Sequence, residues 1–264
     1  MRSIFRSTLS VSRLFGFDPA MTVRAIRGLP PYIRDWRALH RQVHTSPHPV
    51  RFGRPYPCLA DRYEQSGTAT GHYFHQDLLV AQRIFAESPK SHVDVGSRVD
   101  GFVAHVASFR KIRVLDIRAI TAKVPNIEFL RGDLMGVLSD EHTGCSDSVS
   151  CLHTIEHFGL GRYGDPICFD GYLRGIENLF KMITPGGTLY LSTPIGPERI
   201  EFNAHRVFSV AGMSNILKNF GEIRSFSYVD DHGDLHQEVS HSSEQACRSF
   251  GCSFGCGIWE CVKR

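Results

Sequence analysis

Val93-Asp-Val-Gly-Ser-Arg-Val-Asp-Gly-Phe102, VDVGSRVDGF, decides the fold. A short apolar run from His92 to Val95 stops at Gly96, and Val99, Phe102, Val103, Val106 and Phe109 then recur at helical spacing. A strand, a tight glycine turn and a helix in that order leave backbone amides at the helix start, where they can face a negative group. Outward from this stretch the pattern repeats. Arg113–Ile117, Asn126–Leu130, Asp147–Leu152 and Thr188–Ser192 read as further strands. Phe169, Tyr172, Leu173, Ile176, Phe180 and Ile183 mark a helix stopped by Pro185-Gly186-Gly187. A helix over 208–219 and strands over 223–229 and 257–263 follow, and residues 56–90 read as a lead-in loop and helix with GHYFHQ (71–76) at the helix start.

Strands separated by helical crossovers imply a parallel sheet covered on both faces. Ligands in such sheets bind beyond the carboxyl ends of the strands. That rule selects Gly96–Gly101, Asp116, Asp133, residues 152–158 and residues 193–196. An acid at the end of the second strand, Asp116, can accept both hydroxyls of a ribose. Asp133, after the third strand, can meet an adenine amino group; helix or turn capping is the competing reading for both acids. Arg206 follows the fifth strand and suits an anionic or hydroxyl-rich substrate.

His153-Thr-Ile-Glu-His157 fits H-x-x-E-H, the inverted zinc-protease signature. That chemistry needs both histidines on one face of a helix. Here the letters follow an apolar strand and precede Gly159 and Gly161, so a turn at the sheet edge is expected instead. Of the eight cysteines, Cys247, Cys252, Cys256 and Cys261 are spaced C-x4-C-x3-C-x4-C, without the close pairs of structural zinc sites. Alternation along a strand sends Cys256 and Cys261 to opposite faces. No metal site is expected.

The span 91–263 resembles a class I S-adenosylmethionine (SAM)-dependent methyltransferase domain. Asp94-Val-Gly96 with Gly101 resembles that family's glycine loop, and Gly132-Asp133-Leu134 its adenine segment. DSVSCLHTIEH (147–157) is similar to its fourth-strand motif, and ITPGGTLYL (183–191) to its turn into the fifth strand. VDVGSRVDGF and the TPIG…NAHRVFS tail resemble, more narrowly, an uncharacterised methyltransferase-like family whose bacterial members are often placed near cell-surface glycan genes. The resemblance implies an α/β, Rossmann-like, mostly parallel seven-stranded sheet with helices on both faces and a C-terminal antiparallel strand. It implies SAM as cofactor, bound by Asp94, Gly96, Arg98, Gly101, Asp116, Asp133, Leu134 and Glu156. It implies a general base among His153 and His157, with His205 behind them, and a small-molecule or glycan acceptor such as a sugar hydroxyl. Arg98 stands where the family carries a second glycine; it pairs with the methionine carboxylate or points to solvent. A catalytically inactive methyltransferase-like binding module is the alternative reading. A nicotinamide oxidoreductase is disfavoured, because G-x-G-x-x-G is missing.

The chain has 264 residues, 42% hydrophobic and 22% charged, enough for a sizeable core. Its charge of +3 is uneven: residues 1–55 hold ten Arg, no Lys and two acids, Asp18 and Asp35, leaving the rest acidic. The expected division is a basic N-terminal extension, 1–70, and a methyltransferase-like domain, 71–264. The Arg- and Ser-containing start, MRSIFRSTLSVSRLF, reads as a basic helical subdomain or a mitochondrial presequence, the former preferred. No nucleic-acid motif accompanies the charge, so no nucleic-acid partner is expected. No apolar run approaches the ~20 residues of a membrane span. Reduced thiols and a cytoplasmic location are the expectation.

Overall fold

The computed structural model describes residues 16–43, 45–48, 50–118 and 121–264. Residues 1–15, on which the presequence reading rests, lie outside them. The chain divides into two units, Met1–Thr68 and Ala69–Arg264. In the first, α1 (Pro19–Val43) is opened by the Asp18 side chain, which accepts from the backbone N–H of Ala20 at 2.9 Å. Gly28 faces the Leu59 carbonyl so closely that a Cβ there would lie 1.9 Å from its oxygen. The Tyr63 hydroxyl donates to the Arg27 carbonyl at 3.2 Å, and Arg24 pairs with Glu64 at 3.2 Å.

The second unit is built on one sheet, in the order β3-β2-β1-β4-β5-β10-β8-β9. Strands β1 (Val93–Val95), β2 (Ile112–Asp116), β3 (Ile127–Arg131), β4 (Ser146–Leu152) and β5 (Ile183–Ile195) are parallel. β10 (Gly255–Lys263) runs antiparallel between β5 and β8 (Gly221–Val229). These are the seven expected strands; β9 (Leu235–His236) adds a two-residue eighth at the edge. β5 starts earlier than expected because Ile183 already pairs with Ser146, before Pro185-Gly186-Gly187. A small hairpin of β6 (Arg199–Glu201) and β7 (His205–Val207) was not legible, since neither three-residue strand is long enough to show a period.

Each face of the sheet has its own core. α2 (His72–Glu87), the wide turn Val99–Val103 and α3 (Ala104–Ala107) supply Leu79, Val80, Ile84, Phe102 and Val106 to one side. α4 (Gly171–Met182) and α5 (Val210–Lys218) supply Ile176, Leu179, Met213 and Leu217 to the other, where the short α6 (Glu244–Cys247) adds Ala246. β10 shows the alternation: Cys256 and Ile258 join the first core, Trp259 and Cys261 the second. The opposite-face expectation for Cys256 and Cys261 therefore holds. Trp259 is fully buried, and its indole N–H donates to Ser214 Oγ at 3.0 Å, so no polar atom is stranded with the ring. Truncating it to alanine would cost about 3–5 kcal/mol.

β1 leads to β2 and β3 on one side and neighbours β4 on the other. The strand order therefore reverses at the β1/β4 boundary, where a crevice opens beyond the carboxyl ends.

Candidate active site

Gly96 ends β1 with φ +68, a conformation open to glycine, and a Cβ there would lie 2.4 Å from Thr154 Cγ2. The turn below it is set by Asp94, which is fully buried. Its carboxylate accepts from the Ser97 amide at 3.0 Å, from Ser97 Oγ at 2.6 Å and from Ser150 Oγ at 2.6 Å. Burial nonetheless pushes Asp94 up to about 6, against the pull of those hydrogen bonds. Gly101 serves the same floor: a Cβ would lie 2.5 Å from Asp77 Oδ2. Burial also lifts Asp77, on α2, to about 6.

A cleft of about 580 Å³, counting the part open to solvent, lies over this edge. Of the sequence-derived candidates it is lined by Gly96, Asp116, Asp133, Leu134 and His157. Asn178 on α4 holds the wall after β3 in place, its amide donating to the Leu134 carbonyl at 2.7 Å and the Gly136 carbonyl at 2.9 Å. Asp133 accepts from the Met135 amide at 2.8 Å, the capping role weighed against it. Asp116 is buried, and Arg118 forks onto it at 2.9 and 2.7 Å while stacking over Tyr163 at 4.6 Å. Arg118 and Tyr163 line the cleft too; sequence reasoning missed both, because only the folded turn after β2 and the loop after β4 bring them over it. That loop is pinned by Asp165, which accepts from the Gly159 and Gly161 amides at 2.9 and 3.1 Å.

The other candidates stand outside the cleft. Asp94 and Gly101 lie beneath it. Arg98 is exposed, paired with Asp100 at 3.0 Å and 5.1 Å over the Tyr73 ring. Its guanidinium thus takes the solvent-side option. His205 lies 3.1 Å from Glu201 across the β6–β7 hairpin and packs on Phe254. The acceptor role read for Arg206 does not fit: it is 4% exposed, and its donors are used on the Phe158 and Phe169 carbonyls at 2.6 and 2.9 Å.

HTIEH forms the expected turn, with a single 3-10 turn over Ile155–His157. Its two histidines have different surroundings. His157 donates from Nδ1 to the Ala204 carbonyl at 2.6 Å. Burial lowers its pKa, with the nearby Glu156 opposing, so the ring is neutral at pH 7 with Nε2 as the basic atom. His153 has φ +48, strained for a residue with a Cβ, and its backbone N–H donates to the Ser192 carbonyl at 3.1 Å. Its Nδ1 donates to the buried Glu156 at 2.8 Å. Burial opposes charge on both groups, but Cys256 and Glu156 outweigh it at His153 and raise it, while His153, with His157, outweighs it at Glu156 and lowers it. His72 stacks on His153 at 5.3 Å, and burial, then the His153 charge, pushes it down to about 4.

The arrangement is therefore a cleft with an acid at the second strand end and a neutral imidazole at the fourth. The family described as "Caenorhabditis protein of unknown function, DUF268" matches residues 135–249. No curated protein matches in sequence. Among solved structures, the [4+2]-cyclase SpnF is similar at 14% identity and TM-score 0.52, over 72% of this chain and 80% of that one. Haemonchus contortus phosphoethanolamine N-methyltransferase 2, in complex with phosphomonomethylethanolamine and S-adenosylhomocysteine, is similar at 11% identity and TM-score 0.50, over 75% of this chain and 55% of that one. NodS, an N-methyltransferase from Bradyrhizobium japonicum WM9, gives 12% identity and TM-score 0.47 over 86% and 97%. The fold is that of the class I SAM-dependent methyltransferases. A cyclase and a methyltransferase both resemble it, so chemistry has to be argued from the site.

Proposed function

We propose that the chain is a SAM-dependent methyltransferase acting on an oxygen or nitrogen acceptor. The observation that carries this is the cleft itself, in which Gly96, Asp116, Leu134 and His157 meet at the point where the strand order reverses. The residues fit the cofactor: Gly96 lines the cleft in a tight turn that packs on Thr154 and admits no Cβ, and Asp116 supplies an acid for the ribose hydroxyls. Asp133 and Leu134 would flank the adenine. When bound, SAM supplies an electrophilic methyl group. The chain's own task is to align an acceptor with it, since positioning supplies most of the rate in such displacements. His157 would take the acceptor's proton at Nε2, its Nδ1–H held by Ala204. His153, held charged beside Glu156, would donate rather than accept.

A sugar hydroxyl is the acceptor we favour; its support is the resemblance of VDVGSRVDGF and NAHRVFS to the glycan-associated family. Residues 71–264 would carry the activity and 1–70 form a separate basic extension. A cytoplasmic location belongs to this reading, supported by eight cysteines that are all free. Among the described residues no helix is long and apolar enough to cross a membrane.

Isothermal titration with S-adenosylhomocysteine tests the proposal. Saturable binding is expected; no heat at high-micromolar ligand rejects it. One observation favours an inactive binding module: Asp116 is engaged by Arg118, so a ribose must compete for it. Turnover on any acceptor rejects that alternative.

A further inference from the structure

Beside the cleft lies a second cluster, of which the methyl-transfer reading uses only His153. His72 at the start of α2, His153 at the end of β4 and Cys256 at the start of β10 bring one ligand atom each within 4.8 Å of one another. His153 is the central member. Its side chain is 6% exposed, its Nδ1–H is fixed by Glu156 at 2.8 Å, and its Nε2 is buried with no hydrogen-bond partner. A buried, unpaired imidazole nitrogen costs free energy unless something satisfies it. Glu156 Oε2 is stranded likewise. The left-handed backbone of His153 adds strain, which the surrounding structure tolerates here.

We propose that His72, His153 and Cys256 form a zinc site with one coordination position left open. Two imidazoles and a thiolate are the donors a borderline-soft divalent ion takes, and three protein ligands with a free fourth position mark reactive rather than structural zinc. A ligating histidine ordinarily donates its other ring N–H to a carboxylate, as His153 does to Glu156. Cys256 has a neighbour of its own in Gln76, whose Oε1 lies 3.6 Å from Sγ and accepts from the thiol. Tetrahedral zinc needs ligand atoms about 3.5 Å apart, so the three groups close by roughly an ångström on binding. Metal binding releases two protons to solvent, one from the Cys256 thiol and one from Nε2 of the charged His153.

The zinc-binding claim stands on these three residues and does not rest on the methyl-transfer proposal. A role for the open position does rest on it: coordination there would lower the pKa of an acceptor hydroxyl or thiol beside the cleft. No metal was expected from HTIEH, which lacks the helix a zinc protease needs, or from the spacing of the four C-terminal cysteines; the proposed site instead draws one ligand each from the start of α2, the end of β4 and the start of β10.

The full chain is purified after expression with zinc, and its metal content is measured by inductively coupled plasma mass spectrometry. About one zinc per chain is expected. Exchange for Co2+ should give a near-ultraviolet thiolate-to-cobalt band together with intense tetrahedral d–d bands. Cys256→Ser should abolish the near-ultraviolet band and lower metal retention at least tenfold. His72→Ala, at a helix start where folding is least at risk, should also lower retention tenfold, and Cys261→Ser, on the opposite face, should leave both signals intact. No stoichiometric metal and no cobalt band in the wild type, or a band that survives Cys256→Ser, overturns the proposal. Metal retained without S-adenosylhomocysteine binding would sink only the methyl-transfer reading.

Discussion

The two halves of the sheet's carboxyl edge are put together differently. On the β1–β3 side, each cleft residue closes the strand that precedes it: Gly96 follows β1, Asp116 ends β2, and Asp133 and Leu134 follow β3. On the β4–β10 side, His72, His153 and Cys256 come from three elements far apart in the chain and meet only through packing. Local order along the chain builds the first half and tertiary contact the second. A substitution on the first side should therefore act on nucleoside binding, and one on the second side on what happens next to it.

The largest expected effect falls where the halves meet. His157 lines the cleft, yet its Nδ1 is anchored on Ala204 in the loop between β6 and β7. With an acceptor in hand, His157→Gln should lower kcat by about 10²–10⁴-fold, the usual range for losing a general base. S-adenosylhomocysteine affinity should move by less than about threefold, within one weak contact. Equal losses in both would make His157 a binding residue and erase the division of labour.

Next comes Asp116. Asp116→Asn keeps the shape and removes the charge. Affinity for S-adenosylhomocysteine should fall about 10–100-fold, the range for hydrogen bonds to a charged group. Unchanged affinity in a titration would place the nucleoside elsewhere.

These two residues differ in how they could be read. Asp116 was legible because strand, turn and acid lie in one run, and the fold-deciding stretch VDVGSRVDGF carries its own period. The sheet was legible for the same reason, down to the opposite faces of Cys256 and Cys261. Arg118 and Tyr163 were not, because a cation two residues past an acid looks like any solvated pair until the chain turns over the cleft. Arg206 misled in the other sense. Its position after the fifth strand suggested a substrate contact, but a guanidinium with five donors is equally suited to collecting loop carbonyls, and burial decided for the latter. His72 belongs to GHYFHQ, noted only as a helix start, and nothing local ties it to Cys256.

The floor of the cleft has a pH signature of its own. Asp77 and Asp94 titrate at 3.8 when unfolded and are pushed to about 6 by burial. Between those values the folded chain holds more protons than the unfolded one. The contribution of these two acids to stability should therefore fall as pH rises from about 4 to about 6, then level off, while buried His72, pushed down to about 4, contributes in the opposite sense. Asp77→Asn keeps an acceptor for Gln76 and removes one of the two charges. It should raise stability at pH 7 by about 1–3 kcal/mol and flatten the fall, as read by urea denaturation. An unchanged slope would mean that Asp77 is charged in the fold at no cost.

The smallest effect separates two roles for Arg118. Its fork occupies both oxygens of Asp116, the same atoms a ribose would use, while its own side chain is 55% exposed. A pair so open to water is worth at most about 1 kcal/mol. Competition should therefore cost the ligand about fivefold or less, and Arg118→Ala should tighten S-adenosylhomocysteine binding by that factor. A fivefold loss instead would mean that Arg118, stacked on Tyr163, belongs to the nucleoside's own binding surface. In that case the Asp116–Arg118 pair acts as one preformed unit, the ribose reads both residues, and the inactive-module alternative loses the one observation that favours it.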